Sequence, residues 1–80
     1  MKLPRDVDAD ELIKALRVLG YSPTRQTGSH IRVTTQMHGQ HHEVVPRLRP
    51  IKPGTLRGIL GTVAEHHGIS ATVLIELLDL

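Results

Sequence analysis

The stretch Gly28-Ser29-His30-Ile31-Arg32-Val33-Thr34-Thr35 begins with a turn-forming glycine and then alternates from residue to residue. Alternation with a period of two places His30, Arg32 and Thr34 on one side and Ile31, Val33 and Thr35 on the other. We predict a half-buried strand, with Ile31 and Val33 facing a core and His30 and Arg32 on the outer surface. The histidine can gain or lose a proton near neutral pH, and the arginine beside it can bind an anion. Alternatively, they only solvate the open face of a sheet.

The composition indicates one small domain, spanning residues 1–80, with a core of aliphatic side chains. The 80 residues include no Phe, no Trp and one Tyr, so Leu, Ile and Val must fill the core. The absence of cysteine fits a reducing compartment. The first ten residues contain no apolar segment of the secretory type, and no apolar run approaches membrane-spanning length. We therefore expect a cytoplasmic protein without a membrane partner.

The net charge of +2 conceals a strongly basic middle segment. Residues 25–57 carry six basic side chains against Glu43 alone, a local charge of +5, whereas residues 58–80 carry three acidic residues and no basic one. The six are Arg25, Arg32, Arg47, Arg49, Lys52 and Arg57. Such a segment is typical of proteins that bind a polyanion. Because it contains no aromatic residue, we expect contacts to backbone phosphates rather than stacking on unpaired bases.

Before the alternating stretch, the pattern predicts a helix and an edge strand. Asp8 is the expected N-cap and Glu11 completes a capping box. One face carries apolar residues at helical spacing: Ala9, Leu12, Ile13, Leu16 and Leu19. Gly20 should end the helix in the left-handed conformation, with Tyr21 packed back on Leu16. Pro23-Thr24-Arg25-Gln26 suits an edge strand.

After that stretch, we predict a third strand and two helices. Residues 41–45 form the strand, although two adjacent valines leave its in/out phase open. Three prolines within residues 46–53 predict a stiff basic loop. A helix should run from Pro53 to about His67, with Gly54, Gly58 and Gly61 opposite its apolar face, and Ser70 should cap a short last helix. The fold class is α+β: α-β-β-β-α with a three-stranded antiparallel sheet, plus a short C-terminal helix.

Several short motifs together resemble the HicA toxins, the mRNA interferases of HicAB toxin–antitoxin pairs. They are Leu3-Pro4-Arg5, Leu19-Gly20-Tyr21, Gly28-Ser29-His30-Ile31, Val45-Pro46-Arg47 and Lys52-Pro53-Gly54-Thr55-Leu56-Arg57, and they extend over about residues 2–67. The resemblance implies a double-stranded-RNA-binding-domain-like fold. It also implies a metal-independent, ribosome-independent endoribonuclease, with His30 catalytic, that a HicB-like antitoxin neutralises. One departure is Leu48, where the family often has a histidine.

Cleavage of RNA requires little from the protein. The 2′-hydroxyl is the nucleophile, so the site needs a base, an acid and cations that offset charge on the phosphorane. We assign the acid/base role to His30. Arg32 would hold the phosphate, Gly28 and Ser29 would offer backbone N–H groups, and the RNA backbone would contact Arg25, Arg47, Arg49, Lys52 and Arg57. We expect no cofactor, a monomer when free and a hetero-oligomer with the antitoxin. A non-catalytic RNA-binding module is the alternative, and no second proton-transfer group is evident.

The remaining histidines allow a second interpretation. His38, His41 and His42 lie close in sequence, followed later by His66 and His67, and neutral imidazoles bind zinc. The spacing lacks a second set of ligands, and Glu43 is the only nearby carboxylate. We therefore favour a polar hairpin loop over a metal site and interpret His67 as a residue at the boundary of the core.

Overall fold

The computed structural model describes residues 2–80 and confirms the α+β prediction. Helix α1 (Ala9–Leu16) continues into a 3₁₀ turn (Arg17–Leu19). The strands β1 (Ser22–Thr27), β2 (His30–Thr35) and β3 (His41–Pro46) form one antiparallel sheet in the order β1-β2-β3, and helices α2 (Pro53–His67) and α3 (Ala71–Leu78) follow. This order is that of a double-stranded-RNA-binding-domain-like fold with an added C-terminal helix. Within residues 2–80, no helix is both long and apolar enough to span a bilayer.

The end of the first helical segment is fixed by close packing. Gly20 has a φ of +83°, and a Cβ there would lie 2.7 Å from the Thr35 hydroxyl oxygen. That buried hydroxyl donates a hydrogen bond to the Leu19 carbonyl (2.7 Å) and accepts one from the Met37 N–H (3.0 Å). Only glycine fits this position, since a side chain is disfavoured by both the left-handed backbone and the neighbouring threonine.

The register of the sheet separates its two faces. Ile31 pairs with Val45 on the inner face, which packs against the helices, whereas Arg32 pairs with Val44 on the outer face. Val45 is fully buried and Val44 is 50% exposed, which settles the phase that two adjacent valines leave open. The alternation predicted for β2 is confirmed, with His30 exposed and Ile31 and Val33 buried.

Backbone hydrogen bonds connect the basic loop between β3 and α2 to the start of α1 and to the β1–β2 turn. The Ile51 N–H donates to the Val7 carbonyl at 2.8 Å, and the Ala9 N–H donates to the Leu48 carbonyl at 3.2 Å. At the start of the loop, the Arg47 N–H donates to the Ser29 carbonyl at 2.7 Å. These backbone bonds hold the loop beside the β1–β2 turn.

The two C-terminal helices have the predicted caps. Helix α2 begins with Pro53 and ends at His67, and its C-cap, Gly68, has a φ of +66°. The Ser70 hydroxyl accepts a hydrogen bond from the Val73 N–H at 3.1 Å. Of the apolar residues in α3, Leu74 and Leu78 are buried in the core, while Val73 and Leu77 are exposed.

Candidate functional site

His30 lies at the start of β2, at the edge of a depression in the outer face of the sheet. The two-residue turn Gly28–Ser29 makes Thr27 its direct cross-strand partner. The depression has a volume of about 230 Å³ and is lined by Arg25, Thr27, His30, Arg32 and Val44. The predicted acid/base residue and the predicted phosphate-binding arginine therefore share one concave surface.

Arg25 and Arg32 are direct partners across the β1–β2 pair. Like charges placed directly opposite in a sheet destabilise it. Among residues 2–80, neither guanidinium forms an ion pair with a carboxylate, and the buried Nε of Arg32 has no hydrogen-bond partner. A bound anion would offset the repulsion between the two guanidinium groups.

A second, larger cavity lies on the other side of the β1–β2 turn. It has a volume of about 510 Å³ and is lined by Ala9, Asp10, Gly28, Ser29, Arg47, Leu48 and Arg49. One Arg49 nitrogen lies 3.4 Å from an Asp10 carboxylate oxygen, with the two side chains 74% and 64% exposed. An ion pair this exposed is weak, because solvent and salt screen it. Arg49 is therefore available to another anion.

The structure brings together most of the predicted RNA-binding residues. Six line the two concavities: Gly28, Ser29, Arg25, Arg32, Arg47 and Arg49. Lys52 and Arg57 line neither, since Lys52 is the N-cap of α2 and Arg57 is exposed in its first turns. Glu43 projects from the inner face, where its carboxylate accepts a hydrogen bond from the Thr62 hydroxyl. It therefore does not offset the positive charge of the outer face.

Comparison with known families agrees with the resemblance in the motifs. A family model described as the HicA toxin of bacterial toxin–antitoxin pairs matches residues 9–69. The chain belongs to the HicA toxin family. The match covers the chain from α1 through α2, whereas Leu3-Pro4-Arg5 and α3 lie outside it. No curated protein and no solved structure matches the chain.

Two residues that line the depression, Thr27 and Val44, were absent from the sequence prediction. Thr27 could have been found, because a two-residue hairpin turn fixes the residues directly before and after it as cross-strand partners. Val44 could not, because its exposure depends on the register of β3 against β2.

Four of the six histidines form a cluster with Tyr21 that the sequence did not reveal. The Tyr21 hydroxyl lies 2.6 Å from His41 Nδ1 and 3.1 Å from His67 Nε2. The His66 ring stacks on His41, with centroids 4.4 Å apart, and its Nε2 lies 3.0 Å from the Gly39 carbonyl oxygen. We call Tyr21, His38, His41, His66 and His67 the tyrosine–histidine cluster. It joins the β2–β3 loop to the end of α2.

The cluster favours neutral side chains. Burial lowers the pKa of His41 and of His67, and the neighbouring His66 lowers both further. Burial, with a contribution from the charge of Glu43, raises the pKa of Tyr21 to about 12. A neutral phenol can donate to one imidazole and accept from the other. Within residues 2–80, no three His, Cys, Asp or Glu side chains are placed to hold a metal ion.

Proposed function

We propose that this HicA-family toxin is an endoribonuclease in which His30 is the catalytic acid/base. The observation that carries the proposal is the position of His30, which is exposed on a regular strand in a depression with two arginines. Among the described residues 2–80, neither arginine has a carboxylate partner. A toxin of this kind acts with an antitoxin, and we propose a HicB-like protein as its partner.

The reaction would use the 2′-hydroxyl of the RNA. His30 accepts the proton of that hydroxyl as its oxygen attacks the adjacent phosphorus. The Arg25 and Arg32 guanidinium groups offset the negative charge that grows on the phosphorane oxygens. The bond from phosphorus to the 5′-oxygen then breaks, which leaves a 2′,3′-cyclic phosphate and a free 5′-hydroxyl.

The 5′-oxygen must receive a proton as it leaves. The side chains that line the depression include no second imidazole and no carboxylate. The depression is open to solvent, and we assign this second transfer to water. The chemistry needs no metal ion, so cleavage should continue in excess EDTA.

The test is to compare His30→Ala with the wild type on RNA in excess EDTA. We expect cleavage to fall by about 100- to 10,000-fold, the usual loss for a general acid/base. The fold should survive, because His30 is exposed and the inner face of β2 keeps Ile31 and Val33. Circular dichroism spectra and antitoxin binding should therefore match the wild type.

His42→Ala is the matched control. His42 also lies on the outer face, but it pairs with Thr34, four residues along β2 from His30, and its ring bonds to the Thr34 hydroxyl. Activity should change little. Cleavage by His30→Ala at the wild-type rate would refute the assignment, and wild-type protein that binds RNA without cutting it would identify the non-catalytic alternative.

A further inference from the structure

The two concavities meet at neighbouring residues. Ser29 lines the larger cavity and His30 lines the depression, so the peptide bond between them forms the boundary. A hydrogen bond from the Arg47 N–H to the Ser29 carbonyl closes the basic loop against this boundary. An RNA strand that leaves the depression across the β1–β2 turn would pass next to Arg47 and Arg49.

We propose that the cavity containing Arg47 and Arg49 is a separate RNA subsite, which holds the phosphate next to the cleaved one on one side only. This inference rests on the proposed function. The volume of about 510 Å³ lies within the range of pockets that hold small ligands, so it is large enough for one nucleotide. Leu48 and Ala9 give the cavity an apolar portion against which a ribose can pack.

Asp10 regulates how strongly the subsite attracts an anion. In the free protein its carboxylate lies 3.4 Å from an Arg49 nitrogen, and both residues line the cavity. An incoming phosphate replaces this contact and also meets the negative charge of Asp10. Removing that charge should tighten binding of the adjacent phosphate, since the repulsion disappears while both arginines remain.

The experiment removes charges from both partners. The substrates are DNA oligonucleotides with a single ribonucleotide, which defines the cleaved bond, and with one neutral methylphosphonate linkage at each flanking position in turn. For the wild type, we expect one linkage on one side of the cleaved bond to lower kcat/KM by about tenfold, the effect of losing one charge-assisted contact.

In Arg47→Gln/Arg49→Gln, the neutral linkage at that position should have no further effect. Both side chains are exposed, and Arg47 holds its loop through a backbone N–H, so the variant should fold. Asp10→Asn should increase kcat/KM for the charged substrate but not for the one neutral at this position. Lys14→Gln is the control, because Lys14 lies beside the end of α3 and should leave every substrate unchanged.

Two results separate failure of the subsite from failure of the proposed function. If the double variant and the neutral linkage lower kcat/KM independently, so that their effects multiply, the subsite is wrong although RNA is cleaved. If the wild type cleaves neither these substrates nor RNA, the proposed function fails, and fluorescence anisotropy with the same oligonucleotides tests the subsite alone. Binding that depends equally on linkages on both sides would then overturn it.

Discussion

Two glycines of α2 should be replaceable by alanine with a gain in stability. Gly58 and Gly61 lie within the helix, opposite the buried Leu56 and Leu60. A Cβ built at either position meets no atom within 4 Å, so alanine would not clash with the rest of the chain. The main effect is then on the unfolded chain, whose conformational freedom alanine restricts more than glycine does.

The size of the effect follows from helix propensity. Glycine costs about 1 kcal/mol relative to alanine in a helix interior, so Gly58→Ala/Gly61→Ala should add roughly 2 kcal/mol to the free energy of unfolding. For a domain of this size that corresponds to a rise in Tm of roughly 8–16 °C. Thermal unfolding followed by circular dichroism at 222 nm measures it directly.

Gly68→Ala is the matched control. Its Cβ also meets no neighbour, but the φ of +66° places it in the left-handed region, where a side chain costs about 1–2 kcal/mol. The same chemical change should therefore lower Tm. An unchanged or lower Tm for the double variant would refute the reasoning. A stabilised variant that no longer binds the antitoxin would show that the partner's backbone approaches this flat face closely.

Two further predictions concern buried polar groups. Thr35→Val should lower the free energy of unfolding, measured by urea denaturation, by about 2–4 kcal/mol. The reason is that the Leu19 carbonyl and the Met37 N–H lose the threonine hydroxyl as their hydrogen-bond partner. Thr35→Ser keeps a hydroxyl and should lower the free energy of unfolding less. Lowering the pH from 7.5 to 5.5 should lower Tm. The folded state lowers the pKa of His41 and of His67, so their contribution to the free energy of unfolding is complete above the unfolded pKa of about 6.5 and is lost as the pH falls below it. The raised pKa of Glu43 opposes part of this loss. A Tm independent of pH would contradict the prediction.

Local signals in the sequence were sufficient for the helices, the strands and the position of His30. The alternation in residues 28–35 needs no knowledge of the rest of the chain, because the side chains of a strand point to opposite faces in turn. The caps at Asp8, Gly20 and Ser70 are local in the same sense, and the structure confirms each of them as a cap.

Long-range contacts account for what the sequence could not predict. Tyr21 meets His67 across 46 positions, and no local pattern pairs two such residues. Long-range contacts also decide which of the basic residues line the larger cavity. Charge alone groups Lys52 and Arg57 with Arg47, but the docking of the loop on the start of α1 separates them from the cavity.

Each edge strand of the sheet contains a proline. An open three-stranded sheet offers unpaired backbone groups at both edges, and such edges can recruit a strand from another molecule. Pro23 in β1 and Pro46 in β3 have no N–H to donate, and the pairing of β1 with β2 is irregular between Pro23 and Arg25. The two edge strands therefore each lack one backbone donor, which makes them poorer templates for pairing with a strand of another molecule.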